Sequence, residues 1–507
     1  MELELDRTQL SGFETVLDTT VCHEETLEAI VPDACPDILR VCETEGTVFL
    51  KNKETSEGRA ECAGTVRAVL LYLPDGEEGL RRMEVSLPFT CGADSGAVDG
   101  RCAMVAAPRL QAIETRLLNP RKVLVKAQLL VQIQVCAPRS DSLCTGVAEP
   151  EAVGVEQMCE TWETCIVTCV QEKSFPFSDD VSLPGSKPEA EEVLRSRAAL
   201  RCTESKVIGN KLIFKGEAQL QVLYRTVEGG LCTAEFELPF SQIMEVSGAG
   251  EEAACDVQVV LSSLDCAAEG GGRSIQVSMD LLAQAVVRDT RSVRLLTDLY
   301  STAYDLSAEL KPCTLERLLD DGEKEQMVRE ILETGALARE VLDAWTAVGT
   351  VAQTREGERL SLTAEVTVTV LYQTEEGGRA SASRTFRVAC PLDLPQEAAC
   401  SCRCSCPAPV FAAPTAGGIE VRFPVRFHYV AREGRKVVSV SAVRLDEEAP
   451  RDRSQQPSIV LRMVAPGERL WDIAKCYGTT ARDILQANAL EEDALPAGQL
   501  LLIPRSR

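Results

Sequence analysis

The sequence predicts a mainly β, multidomain chain: three β-rich, sandwich- or barrel-like repeats, followed by one small α+β module of βααβ order. Two observations carry this. The segments TVRAVLLY (65–72), EAQLQVLY (217–224) and EVTVTVLY (365–372) resemble one another and alternate apolar with polar residues. Their tyrosines, Tyr72, Tyr224 and Tyr372, lie 152 and 148 residues apart. Near the C-terminus the period changes from two to that of a helix: Leu470, Ile473, Ala474 and Tyr477 recur in PGERLWDIAKCYGT (466–479). At 507 residues the chain also exceeds what one hydrophobic core serves, which fits three or four domains.

Within each repeat the elements follow one order. A polar turn comes first: NKETSEG (52–58), IGNK (208–211) or TREGE (354–358). The tyrosine strand follows, then an acidic, glycine-bearing turn: PDGEEG (74–79), VEGG (227–230) or TEEGG (374–378). The next strand ends in SLPF (86–89), ELPF (237–240) or, less alike, TFRV (385–388). A second hairpin turns at Asn119-Pro120, at Gly270–Gly272 and at Gly417-Gly418. Alternation between glycine-rich turns predicts antiparallel hairpins with one buried face. Two further segments, ETWETCIVTCVQEKSF (160–175) and TDLYSTAYDLSAELKPC (297–313), read as matching links between repeats. Short helices are expected at 36–42, 188–197 and 322–334. The predicted boundaries are 1–155, 156–302 and 303–447 for the repeats, 448–458 for a polar linker, and 459–505 for the terminal module.

Composition excludes several functions. A net charge of −25 repels polyphosphate backbones and anionic membrane surfaces. Aromatic residues make up only 4%, too few for stacking platforms. No apolar run reaches the ~18 residues of a membrane span, and MELELDRTQLSGF (1–13) has no signal-peptide pattern, so a soluble cytosolic protein is expected.

The 22 cysteines contain no C-x-x-C pair and read as small buried hydrophobes. Cys400, Cys402, Cys404 and Cys406 form C-x-C-x-C-x-C, which suggests zinc. On a strand, however, their thiols form a row along one face, not a tetrahedron. Of the two histidines, His428 reads as a packed strand residue. His23 neighbours Cys22, but adjacent strand residues point opposite ways, which is poor for a dyad. No catalytic motif appears, and the expectation is a protein that is not an enzyme and uses no cofactor.

The tail carries the most specific pattern. IVLRMV is a strand, Pro466-Gly467 a turn, and Gly478 a C-cap for the first helix. Thr480 with Asp483 caps a second helix whose inward face is Ala481, Ile484, Leu485 and Asn488. Leu495-Pro496 turns the chain into LLLIP, the closing strand. PGERLWDIAKCYGTTARDILQANAL…LPAGQLLLIP resembles the LysM domain family. LysM modules bind N-acetylglucosamine polymers in a shallow groove. The resemblance implies a groove between Gly467, Glu468, Arg469 and Leu470 on one side and Ala489, Leu490, Leu495 and Pro496 on the other. Glu468 and Arg469 stand where the family commonly has Asp-Thr, and charged side chains there suit a protein partner as well as a glycan.

The whole layout, through the VLY strands, the LPF ends and LYSTAYDL, resembles the SipL-like spore-coat morphogenetic proteins, in which SPOCS repeats precede a C-terminal LysM domain. That resemblance implies a scaffold in the mother-cell cytoplasm at the forespore surface. Its LysM domain would hold a SpoIVA-like coat ATPase; the rival reading is a peptidoglycan-binding wall protein.

Overall fold

The computed structural model describes residues 1–76, 79–450, 457–490 and 496–504. Nineteen strands form the three repeats. The first contains β1 (Leu5–Ile30), β2 (Ile38–Ser56), β3 (Arg59–Pro74), β4 (Arg81–Asp94), β5 (Ala103–Asn119) and β6 (Lys122–Val147). The second contains β7 (Val155–Ser182), β8 (Ala190–Ile208), β9 (Lys211–Thr226), β10 (Leu231–Glu245), β11 (Ala254–Ala268) and β12 (Ser274–Ser301). The third contains β13 (Tyr304–Leu332), β14 (Ala338–Glu356), β15 (Arg359–Thr374), β16 (Arg379–Asp393), β17 (Ala399–Ser405), β18 (Phe411–Thr415) and β19 (Gly418–Pro450).

Each repeat is a sandwich of two antiparallel sheets. β2-β3-β4 packs on β1-β6-β5, β8-β9-β10 on β7-β12-β11, and β14-β15-β16 on β13-β19 with β17 and β18. Strict alternation fills the cores. On β6, Val123, Val125, Ala127, Leu129, Val131, Ile133 and Val135 all face inward and are fully buried. Tyr72, Tyr224 and Tyr372 are among the largest fully buried side chains. Tyr72 donates to Pro36 O (3.4 Å) and Tyr224 to Pro188 O (3.1 Å), so these rings combine apolar burial with a satisfied hydroxyl. The predicted turns at Asn119-Pro120, Gly270–Gly272 and Gly417-Gly418 each join two paired strands.

The three predicted helices are strands instead. Ile38 opens β2, residues 190–197 open β8, and 322–332 lie in β13. The reason is visible in β13. Within residues 322–332, Val328 and Leu332 are the buried ones, and a spacing of four suits one face of a strand as well as one face of a helix. Pairing with β19 from Asp305↔Asp446 to Leu332↔Ile419 decides between them. The two link motifs also differ in place. Residues 160–175 lie inside β7, whereas 297–313 run from β12 through a turn into β13.

The repeats close around a common axis. β1 touches β7 at Phe13↔Val167, where Gly12 is needed because a Cβ would meet Val167 O at 2.7 Å. Leu3 N donates to Val443 O (3.0 Å) and a Glu2↔Arg444 bridge joins the first repeat to the third. On the axis, Leu71, Leu223 and Leu371 are fully buried together. Beside them, Arg195 pairs with Glu43 (3.2 Å), Glu45 (2.6 Å) and Asp343, and Arg197 pairs with Glu45 (3.2 Å) and Asp343. Trp345 lies under both guanidiniums, at 4.6 and 4.7 Å from its ring centroid.

Glu43 and Asp343 sit 152 and 148 positions from Arg195, the same offsets that separate the tyrosines. One repeat position therefore supplies acid, base and acid. Burial pushes Glu43 up to about 7, with Arg195 pulling back and Glu45 and Asp343 adding like charge. Burial alone would lower Arg195, but the charges of Glu45, Glu43 and Asp343 hold it above its usual value.

Candidate functional site

The C-terminal module has the predicted order of elements. β20 (Ile459–Met463) and β21 (Leu500–Pro504) pair antiparallel, and α1 (Leu470–Tyr477) and α2 (Ala481–Asn488) pack on one face of this ribbon. Val464, Leu470, Ile473, Ala474, Ile484, Leu501 and Ile503 form its core. Gly478 closes α1 at φ 61°, and Thr480 Oγ1 accepts from Asp483 N (3.0 Å) to open α2. Asn488 pins α2 to β21. Its amide donates to Ile484 O (2.7 Å) and Leu502 O (2.6 Å), and its oxygen accepts from Leu502 N (2.7 Å). With so small a core, this three-bond clamp adds a large share of the module's order.

The expected groove residues fall into distinct roles. Gly467, Arg469, Ala489 and Pro496 are exposed, and Leu490 is half-buried. Leu470 lies in the core and offers no side chain to a ligand. Glu468 turns back into its own loop, accepting from Ala465 N (3.1 Å) and pairing with Arg462. Arg469 faces solvent and grips Asp472 (2.9 and 3.0 Å), which holds that carboxyl below its usual range. Ala489 occupies the left-handed region at φ 53° as the C-cap of α2, so it fixes the chain's exit toward the loop. Leu495 lies outside the described residues, as do 451–456 of the expected linker.

Sequence reasoning missed a second surface of the module, the face that docks on the repeats. Trp471 Nε1 donates to Asp298 Oδ2 (2.8 Å), and Lys475 Nζ donates to Asp298 Oδ1 (2.6 Å). Tyr300 inserts into the module's core, packing edge-on to Trp471 at 4.9 Å, and its hydroxyl donates to Thr479 O (2.8 Å). Asp298 and Tyr300 belong to TDLY, within the link motif 297–313. The segment therefore stands out in the sequence, but nothing local says which segment it meets. The dock covers the Trp471–Lys475–Thr479 side of α1 and leaves Gly467, Arg469 and Ala489 open.

Elsewhere the candidates are structural. Cys400, Cys402 and Cys404 lie on β17, with Cys406 just beyond, and all four pack at the edge of the third core. Burial pushes Cys402 up to about 12 and Cys400 and Cys406 to about 11, and raises Cys404 likewise. Among the described residues no group of three or more His, Cys, Asp or Glu side chains is placed to hold a metal ion.

His23 Nε2 bonds Glu25 Oε1 (2.8 Å) and does not meet Cys22. His428 Nδ1 lies 3.3 Å from Arg403, which is itself paired with Asp256. An open cleft of about 1430 Å³ between the repeats is lined by Arg201, Thr203, Gln219, Thr367, Cys404 and His428 among others. Among the described residues no serine, threonine, cysteine or lysine hydrogen-bonds to either histidine. No described helix is long and apolar enough to cross a membrane.

Residues 189–269 match the family model of the SipL, SPOCS domain, and residues 463–504 match that of the LysM domain. The first match spans β8 to β11 of the second repeat; the second covers most of the terminal module. No curated protein matches the chain. The chain thus pairs a sporulation-related SPOCS domain with a C-terminal LysM domain, the layout of a SipL-like protein, and both domain families are non-catalytic.

Proposed function

We propose that a chain pairing a SPOCS domain with a LysM domain serves as a non-enzymatic scaffold of spore-coat assembly. In this reading residues 1–155, 156–302 and 303–447 are three SPOCS-like repeats forming one body. The LysM domain docks a SpoIVA-like ATPase of the coat's basal layer, and coat is thereby held around the forespore on its mother-cell side. The single supporting observation is the exposure of residues expected at the groove. Gly467, Arg469 and Ala489 stay exposed while the opposite duty, attachment to the body, falls on Trp471, Lys475 and Thr479. Exposed Arg469 gives a protein partner a charged contact at the groove's lip.

Co-purification from sporulating cells tests this. Deleting 459–507 should abolish capture of the basal-layer ATPase while 1–447 stays folded, and Arg469→Glu should weaken capture at least tenfold. Undiminished capture by both variants would refute the reading. The LysM match itself favours a second reading, in which the groove holds N-acetylglucosamine polymers. Purified wall sacculi should then retain the full chain, and soluble chitooligosaccharide should release it.

A further inference from the structure

Cys62 on β3 and Cys91 on β4 stand directly opposite each other in the strand register, and their sulfurs lie 3.6 Å apart in a thiol–thiol hydrogen bond. Both are buried, and among the described residues none of the other 20 cysteines makes such a bond. The backbone is shaped for close approach at this point. Gly92, beside Cys91, faces Glu61, and a Cβ there would meet Ala60 O at 2.4 Å. Directly opposed residues of an antiparallel pair have the Cα separation, roughly 4.5–5.5 Å, that a disulfide spans. β4 is an edge strand of its three-stranded sheet, so it is the element of this pair that opens first.

We propose that Cys62 and Cys91 are a modification site: hydrogen peroxide converts this opposed pair into a cross-strand disulfide that staples the outer sheet of the first repeat. Cys91 stands on the edge strand, and the hydrogen bond from Cys62 lowers its thiol from the usual value whereas Cys62 is raised; together these make Cys91 the nucleophile. The Cys91 thiolate attacks one peroxide oxygen. The S–O bond forms, the O–O bond breaks, and the leaving hydroxide takes up the proton that Cys91 released on ionising, giving the first water. Cys62 sulfur then attacks the sulfur of the Cys91 sulfenic acid. The S–S bond forms, the S–O bond breaks, and the hydroxide takes the Cys62 proton as a second water. Two thiols lose two electrons, and one peroxide becomes two waters.

The test oxidises the native full chain with hydrogen peroxide, quenches with catalase, then unfolds and alkylates it for peptide mass spectrometry. The peptides carrying Cys62 and Cys91 should lose alkylation together, appear as one cross-linked species, and return on reduction with dithiothreitol. In Cys62→Ser the sulfenic acid on Cys91 should persist and be trapped by dimedone. Two results overturn the proposal. One is full alkylation of both residues at a dose that oxidises exposed Cys22 and Cys476. The other is over-oxidation of Cys91 in the wild-type chain without the cross-link. The wild-type measurement stands even if the variant fails to fold.

Discussion

The axis of the repeat body and the dock of the LysM domain are both polar contacts between distant segments, and they are built to opposite ends. At the axis, Arg195, Glu43 and Asp343 are almost fully buried, with side-chain exposures of 3%, 5% and 0%. At the dock, Lys475 and Asp298 keep 42% and 27% of their surface in water, while Tyr300 and its partner Thr479 are buried. A buried charge without its partner is very costly, so the repeats are committed to one arrangement. A half-wet ion pair around one tyrosine can be released and remade, which suits a head that must meet a partner.

The largest effect should come from breaking the axis. Arg195→Leu leaves Glu43, Glu45 and Asp343 buried without their main countercharge, and stability should fall by roughly 3–5 kcal/mol in urea unfolding. A loss below ~1 kcal/mol would show that the cluster does not hold the repeats. Next comes pH. Folded Glu43 keeps its proton to about 7, against an ordinary 4.5 when unfolded. Between those values the native state binds the extra proton, so stability declines as pH rises. The penalty is absent below about 4.5 and complete above about 7, on the order of 3 kcal/mol at most. The groups facing Glu43 are Arg195, Arg197, Glu45 and Asp343. Glu43→Gln should flatten that decline, and an unchanged slope from pH 5 to 8 would assign it elsewhere.

Releasing the head should cost less. Asp298→Ala removes the acceptor of both Trp471 and Lys475, and protection of α1 from hydrogen exchange should drop by roughly 1–2 kcal/mol while the repeats exchange as before. Loss of protection throughout the body would contradict the division drawn here. The smallest effects lie within the head and have opposite signs. Thr480→Ala should destabilise it by about 1 kcal/mol through the lost cap. Ala489→Gly should stabilise it by about 1 kcal/mol by relieving the left-handed backbone. Local exchange rates of α2 report both.

The β repeats and the βααβ tail were legible because their evidence is local. Alternation on β6, glycine turns, and the Gly478 and Thr480 caps each act within a few residues. The helices expected at 36–42, 188–197 and 322–334 failed because spacing by four fits a strand face equally well, and only pairing with a remote strand decides. Glu43, Arg195 and Asp343 sit in ordinary polar stretches, and their meeting depends on how the repeats close. The offsets of 152 and 148 that separate the tyrosines recur among these charges and are the one sequence signal of their meeting. At the candidate groove, the turn residues could be placed in advance. Burial of Leu470 and the inward turn of Glu468 could not, since both depend on what packs around them.

The seam between Leu3 and Val443 sets a schedule for synthesis. β1 finds its ladder partner β6 within the first repeat, but a ribosome must deliver nearly the entire body before Glu2 and Leu3, just ahead of β1, meet β19, at about 5–20 residues per second. Until then the nascent first two repeats wait with an unsealed flank. Manufacture of this protein should accordingly lean on holding chaperones, and aggregation should be worst for truncations that stop just short of β19.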